Sequence, residues 1–299
     1  MQRALSLLTS ARFAASLEFS EALLRTRAKT GVDLSQARAR SGFGRGHLLD
    51  VVVYVPGGTG NAIETEAAEL AVRLLLGEEL FERWLGRVSA TPTVRRGPLT
   101  VLNTKRDDED AFDLALLGEA VHAAVNGLKS GLPARAMAAH GSEEDWLLFE
   151  LSPEPSPDYA AQDDLLLAST RTPELKKSFL RGEPFFSGRF SRAGELFLYL
   201  KYESPSPALE ERLREREALE AALSSALAPD GGALIGTGLG LRYAYLDFAV
   251  ADVGCVQGRV LGALRSAGIA KRAWLLFYDS ELDREWIPVY PDGPPPYFG

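Results

Sequence analysis

The chain has little of what most catalytic centres are built from. It holds one cysteine, Cys255, in 299 residues. An intrachain disulfide is therefore excluded, and so is a zinc site made of cysteine pairs. Its three histidines, His47, His122 and His140, stand far apart in sequence. No G-x-S-x-G elbow marks a serine nucleophile. No G-x-G-x-x-G is present, and no glycine loop ends in Gly-Lys-Ser/Thr. Apolar runs stay well short of the roughly 18 residues that suggest a membrane span. From these absences no cofactor and no metal is expected, no catalytic residue stands out, and a cytoplasmic protein is the simplest expectation.

Charge is uneven along the chain. The net charge is −8, but residues 1–47 hold eight basic and three acidic side chains. The rest of the chain is correspondingly acidic, so nucleic-acid binding by the body is not expected, since that needs a basic footprint. Residues 1–47 read as a basic extension, partly helical or flexible, with Leu5, Leu8, Phe13, Leu17 and Leu24 in a rough stripe. A secretory signal is opposed by Arg12, and an organellar transit peptide by Glu18 and Glu21.

Residues 48–151 read as a first α+β half. Leu48 to Val55 is β-branched and apolar, as in a buried strand. The turn cluster from Gly57 to Asn61 precedes a helical pattern containing Ile63, Ala67, Leu70 and Leu74. A hairpin is expected around Gly97-Pro98, then a helix capped by Asp110, then a strand holding Trp146-Leu147-Leu148-Phe149. Residues 152–195 read as a connector with a short helix from Pro173 and a loop bearing Phe185, Phe186 and Phe190.

Residues 196–291 repeat the order β-α-β-β-α-β, and Trp274-Leu275-Leu276-Phe277 repeats the earlier tetrapeptide. The fold class expected is α+β, as two tandem ferredoxin-like halves forming a pseudo-symmetric pair. Residues 292–299 are a Pro-rich tail expected to be loose.

Four features carry candidate chemistry. Gly236, Gly238 and Gly240 alternate at period 2 and leave one sheet face bare. Arg242, Tyr243, Tyr245 and Asp247 follow on the next strand, with the last three on one face. These seven residues are the candidate ligand-binding surface, with helix-on-sheet packing as the structural alternative. The loop from Gly57 to Asn61 could cradle an anion, or could simply turn and cap a helix. Asp107 to Asp110 reads as a solvated acidic loop, and Cys255 as a small buried residue or a thiol in a helix's first turn. The phenylalanine loop is either a binding lip or a plug. Functionally the chain is expected to be a non-enzymatic binding or regulatory protein, acting on another protein and resembling an inhibitor or immunity protein in mode. The alternatives are a ligand domain with its pocket between the halves, and an enzyme of unrecognised type.

Overall fold

The structure is a computed structural model that describes residues 13–92, 110–137, 146–254 and 256–299, with the backbone alone at Gln257. These residues mix helix and strand and form two sheets. They fall into two compact units that divide between Lys129 and Ser130. Residues 1–12, Arg95, Arg96, the expected Gly97-Pro98 turn, Asp107 to Glu109, His140 and Cys255 lie outside the described residues.

The N-terminal unit contains α1 (Phe19–Thr30), β1 (Arg38–Phe43), β2 (Leu49–Val55), α2 (Ala62–Leu76), α3 (Glu78–Trp84), β3 (Leu85–Pro92), β4 (Phe112–Asp113) and α4 (Leu117–Gly131). Its sheet runs β3-β2-β1-β4. Strand β2 pairs parallel with β3 and antiparallel with β1. The basic segment Arg38 to Phe43, expected to be a flexible arm, is thus an inner strand. Only Ala39 among its side chains is fully buried, so the strand carries almost no apolar signal. Helix α1 buries Ala22 and Thr26, while Leu24 is exposed. Of the expected stripe, Leu24 is thus off the buried side, and Leu5 and Leu8 lie outside the described residues. In α2 likewise, Ala67, Ala71 and Val72 face inward and Ile63 faces out.

The C-terminal unit contains β5 (Leu147–Glu150), β6 (Leu165–Thr170), α5 (Pro173–Leu180), β7 (Leu196–Glu203), α6 (Leu209–Leu227), β8 (Ala233–Gly240), β9 (Tyr243–Val250), α7 (Leu261–Ser266), β10 (Ala273–Phe277) and β11 (Trp286–Pro288). Its seven-stranded sheet is antiparallel throughout, in the order β11-β10-β7-β9-β8-β6-β5. Both faces are covered over most of the sheet, which is why β7 reads as a nearly continuous apolar run. Leu198, Leu200 and Tyr202 join Leu246, Phe248 and Leu275 beneath Leu223 of α6 and Leu264 of α7. Phe197 and Tyr199 point the other way, with Tyr243, Tyr245 and Trp274, against Leu175 of α5 and Phe185.

The two sheets do not repeat one plan. The tetrapeptide beginning at Trp146 enters the edge strand β5, and the one beginning at Trp274 forms β10, an inner strand of the same sheet. The N-terminal sheet has four strands in a different order and includes a parallel pair. The echo arose because both segments are apolar strands, not because they end equivalent units. Residues 152–195 are structural rather than connecting: β6 is an inner strand, and Phe185 packs edge-on and tilted against Phe197 and Tyr278. The tail is anchored too, since the Trp274 indole donates to the Pro294 carbonyl at 2.6 Å and Phe298 lies against Trp286.

Candidate functional site

The three alternating glycines lie in β8, and Tyr243, Tyr245 and Asp247 lie in β9, so the chain does bring the seven candidate residues together. The bare glycine face, however, is filled. A Cβ at Gly236 would stand 2.5 Å from the Asp247 carboxylate, and one at Gly240 2.4 Å from that of Asp164. At Gly238 it would meet Leu165 at 2.6 Å. The glycines make room for two buried carboxylates and a leucine. These side chains take the space that a crossing helix or a planar ligand would need.

Each carboxylate is fully engaged. Asp164 accepts the backbone N–H of Arg242 and of Tyr243, both at 2.8 Å, and the Tyr245 hydroxyl. Burial, and then the adjacent Asp164 charge, push the Tyr245 hydroxyl well up from its ordinary value. Asp247 faces Lys176, a residue with no exposed surface. The Lys176 ammonium donates to Asp247 Oδ2 at 2.8 Å, Gln162 Oε1 at 2.6 Å and Tyr278 Oη at 3.3 Å. Gln162 Nε2 donates in turn to Asp247 Oδ1 at 3.0 Å and Tyr278 Oη at 3.2 Å. All three ammonium protons are therefore used, as a buried charge requires. Of this group the sequence marked only Asp247; Lys176, Gln162 and Tyr278 carried no signal. Lys176 and Lys177 are adjacent on a short helix, and only the fold turns one inward and the other to solvent.

A second cluster borders the β8–β9 turn. Tyr243 donates to Asp158 at 2.6 Å, and Arg272 donates to both Asp158 and the Tyr243 oxygen, at 3.0 and 2.7 Å. Arg242 and Arg272 share Glu203, at 2.7 and 3.1 Å. Burial opposes charge on Asp158, yet the Tyr243 hydroxyl, the Tyr159 N–H and the two arginines hold its carboxyl below the ordinary value. Burial, with the Asp158 contact, pushes Tyr243 up to about 12. Lys201 sits over the Tyr243 ring, 4.3 Å from its centroid, and burial lowers its ammonium to about 8. Arg242 is thus committed to an ion-pair lattice.

Beside these networks a cavity of about 620 Å³ opens between α5, the loop after it and the sheet. Tyr199, Tyr278, Phe179 and Phe185 wall it, and Gln162 separates it from Lys176. The opposite face of the same sheet carries a groove of about 340 Å³. There α6 ends its cover with Leu213, Arg216 and Glu220, leaving Trp146, Leu148, Leu167 and Leu239 along β5, β6 and β8. Trp146 is 44% exposed and Leu148 60%. Strand β5 has one paired edge among the described residues.

In the N-terminal unit the glycine loop cradles an anion of its own. The Glu64 carboxylate accepts the N–H of Thr59 at 3.0 Å and of Gly60 at 2.6 Å. The Thr59 contact, opposed by burial and helped by Gly60, lowers its carboxyl from the ordinary value. Asn61 caps α2 by accepting the Glu64 N–H at 2.9 Å. The amides a phosphate would need are already used. Among the described residues, no group of three histidine, cysteine, aspartate or glutamate side chains is placed to hold a metal, and no helix is long and apolar enough to cross a membrane. Comparison with protein-family models, curated proteins and solved structures finds no match for this chain.

Proposed function

We propose that this is a binding protein that acts on another protein by receiving one of its strands along β5. One observation carries the reading: an apolar groove formed by Trp146, Leu148, Leu167 and Leu239 beside a sheet edge that is unpaired among the described residues. Exposed edge strands are ordinarily blunted by charge, proline or a bulge, because they template pairing with a further chain. This one presents Trp146, Leu147 and Leu148 with a single acidic residue, Glu150. A partner strand would gain backbone hydrogen bonds from β5 and place alternate side chains in the groove, which is the physics of strand addition. The chain's net charge of −8 would steer a basic partner, as an inhibitor or immunity protein would need. The β10-β7-β9-β8 order supports reading residues 196–277 as a ferredoxin-like unit that β6 and β5 extend to make this edge.

The test is paired affinity capture from the native lysate with the wild-type chain and with Leu148→Arg. A protein held by the wild type and lost from the variant is the expected result. Equal retention of every captured protein by both chains would remove the reading. Circular dichroism of the variant should match the wild type, because Leu148 is already exposed.

A further inference from the structure

The cavity on the other face has a one-sided chemistry. Among the described residues its charged lining is Asp163, Glu183 and Asp283, with no lysine or arginine. Arg181 pairs with Glu183 at 3.8 Å from the surface and Arg189 is also felt at Glu183, which leaves Asp163 and Asp283 as the acids without an arginine partner among the described residues. Two ammonium groups lie behind the walls: Lys176, neutralised by Asp247, reaches the Tyr278 hydroxyl at 3.3 Å, and Lys201, which donates to the Tyr159 carbonyl, is felt at Asp163. The walls are aromatic. Phe179 stands edge-on to Tyr199 and Tyr278, with centroids 5.7 and 4.6 Å apart, and Tyr199 stands 5.1 Å from Tyr278.

Tyr199 is the odd member of this face. It is 3% exposed and lines the cavity. Tyr159, Tyr243, Tyr245 and Tyr278 all use their hydroxyls in hydrogen bonds. The Tyr199 hydroxyl has no hydrogen-bond partner among the described residues. That hydroxyl opens on the cavity, so its lone pairs are available to a donor there.

We propose that this cavity binds a small organic cation, a primary ammonium on an apolar body of about one ring. The ammonium donates to Tyr199 Oη and lies against the Tyr278 and Phe179 rings, where the quadrupole attracts positive charge. The apolar body fills the space toward Leu165 and Phe185. Asp163, Glu183 and Asp283 draw the cation inward and oppose anions of the same shape. A volume of about 620 Å³ falls in the range of ordinary ligand sites. The proposal uses a different face of the sheet from the strand-docking reading and stands without it.

Calorimetry with three probes of one shape tests it: phenethylamine, 2-phenylethanol and phenylacetate. Phenethylamine should bind at neutral pH about tenfold or more tighter than the alcohol, as a charge-assisted hydrogen bond implies, and phenylacetate should not bind. Tyr199→Phe should weaken phenethylamine about tenfold while leaving unliganded thermal stability equal or higher. A merely structural hydroxyl would not produce that combination. Asp163→Asn should reduce the salt sensitivity of binding. Equal affinity for amine and alcohol would overturn the proposal. So would unchanged affinity in Tyr199→Phe, or no heat with the amine into the millimolar range.

Discussion

Replacing Lys176 by methionine should be the most damaging conservative change in the C-terminal unit. Methionine keeps the length and apolar stem of lysine, so packing against α5's neighbours changes little. What goes is the ammonium that spans Asp247, Gln162 and Tyr278. The Asp247 carboxylate then stays enclosed, with Gln162 Nε2 at 3.0 Å and no cation. Removing one partner of a buried ion pair costs about 3–5 kcal/mol, because the other charge is left uncompensated. For a unit of this size that corresponds to a fall in Tm of roughly 10 °C. Asp247→Asn alone should cost a comparable amount, since it strands the ammonium. The double variant should be less destabilised than the sum of the singles by about 2 kcal/mol or more, because the two residues share one network. Urea unfolding measures the total, and amide exchange in β9 reads this unit by itself. A Lys176→Met cost under about 1 kcal/mol, or strict additivity in the double variant, would refute the claim that the pair organises the face.

Two further outcomes follow from the same geometry. Gly240→Ala should destabilise by about 1–3 kcal/mol or more, because the Asp164 carboxylate it would strike is held by Tyr245 and two backbone amides and cannot retreat; Gly127→Ala in α4, exposed and with nothing within 4 Å of its added Cβ, should stabilise by about 0.5–1 kcal/mol in the same unfolding assay. Lys201, lowered to about 8 by burial, binds fewer protons folded than unfolded above that pH, so its penalty is relieved as pH rises toward the ordinary lysine value. Wild type should therefore gain stability relative to Lys201→Met between about pH 8 and 9.5, and a constant difference across that window would contradict the assignment.

Strand and helix order over residues 196–291 was legible in the sequence because both sheet faces are covered there. The runs in β7, β9 and β10 are long and apolar, and proline and glycine punctuate them. Residues 38–43 were not legible, since a strand that buries one alanine has no period to detect. The duplication was inferred from a matching element order and a tetrapeptide echo, but the four letters suit any apolar strand, and pairing partners decide the role of each copy. At the candidate surface, the glycine alternation correctly marked a place of close approach. It could not say what approaches, because Asp164 and Lys176 come from residues about 70 positions away on elements whose inward faces only tertiary packing selects. The open hydroxyl of Tyr199 is invisible by the same reasoning: one tyrosine in an apolar strand looks like any other until its neighbours are fixed.

The Asp164 carboxylate has a consequence for how the chain is assembled. It satisfies the amides of Arg242 and Tyr243 at the bend between β8 and β9, across sequence separations of 78 and 79 residues. A ribosome delivers that acid first and the bend much later, so the hairpin closes onto an acceptor already waiting. An expression fragment begun at Leu196 would lack the acceptor, along with Gln162 and Lys176. A fragment meant to keep this network must therefore begin upstream of Gln162.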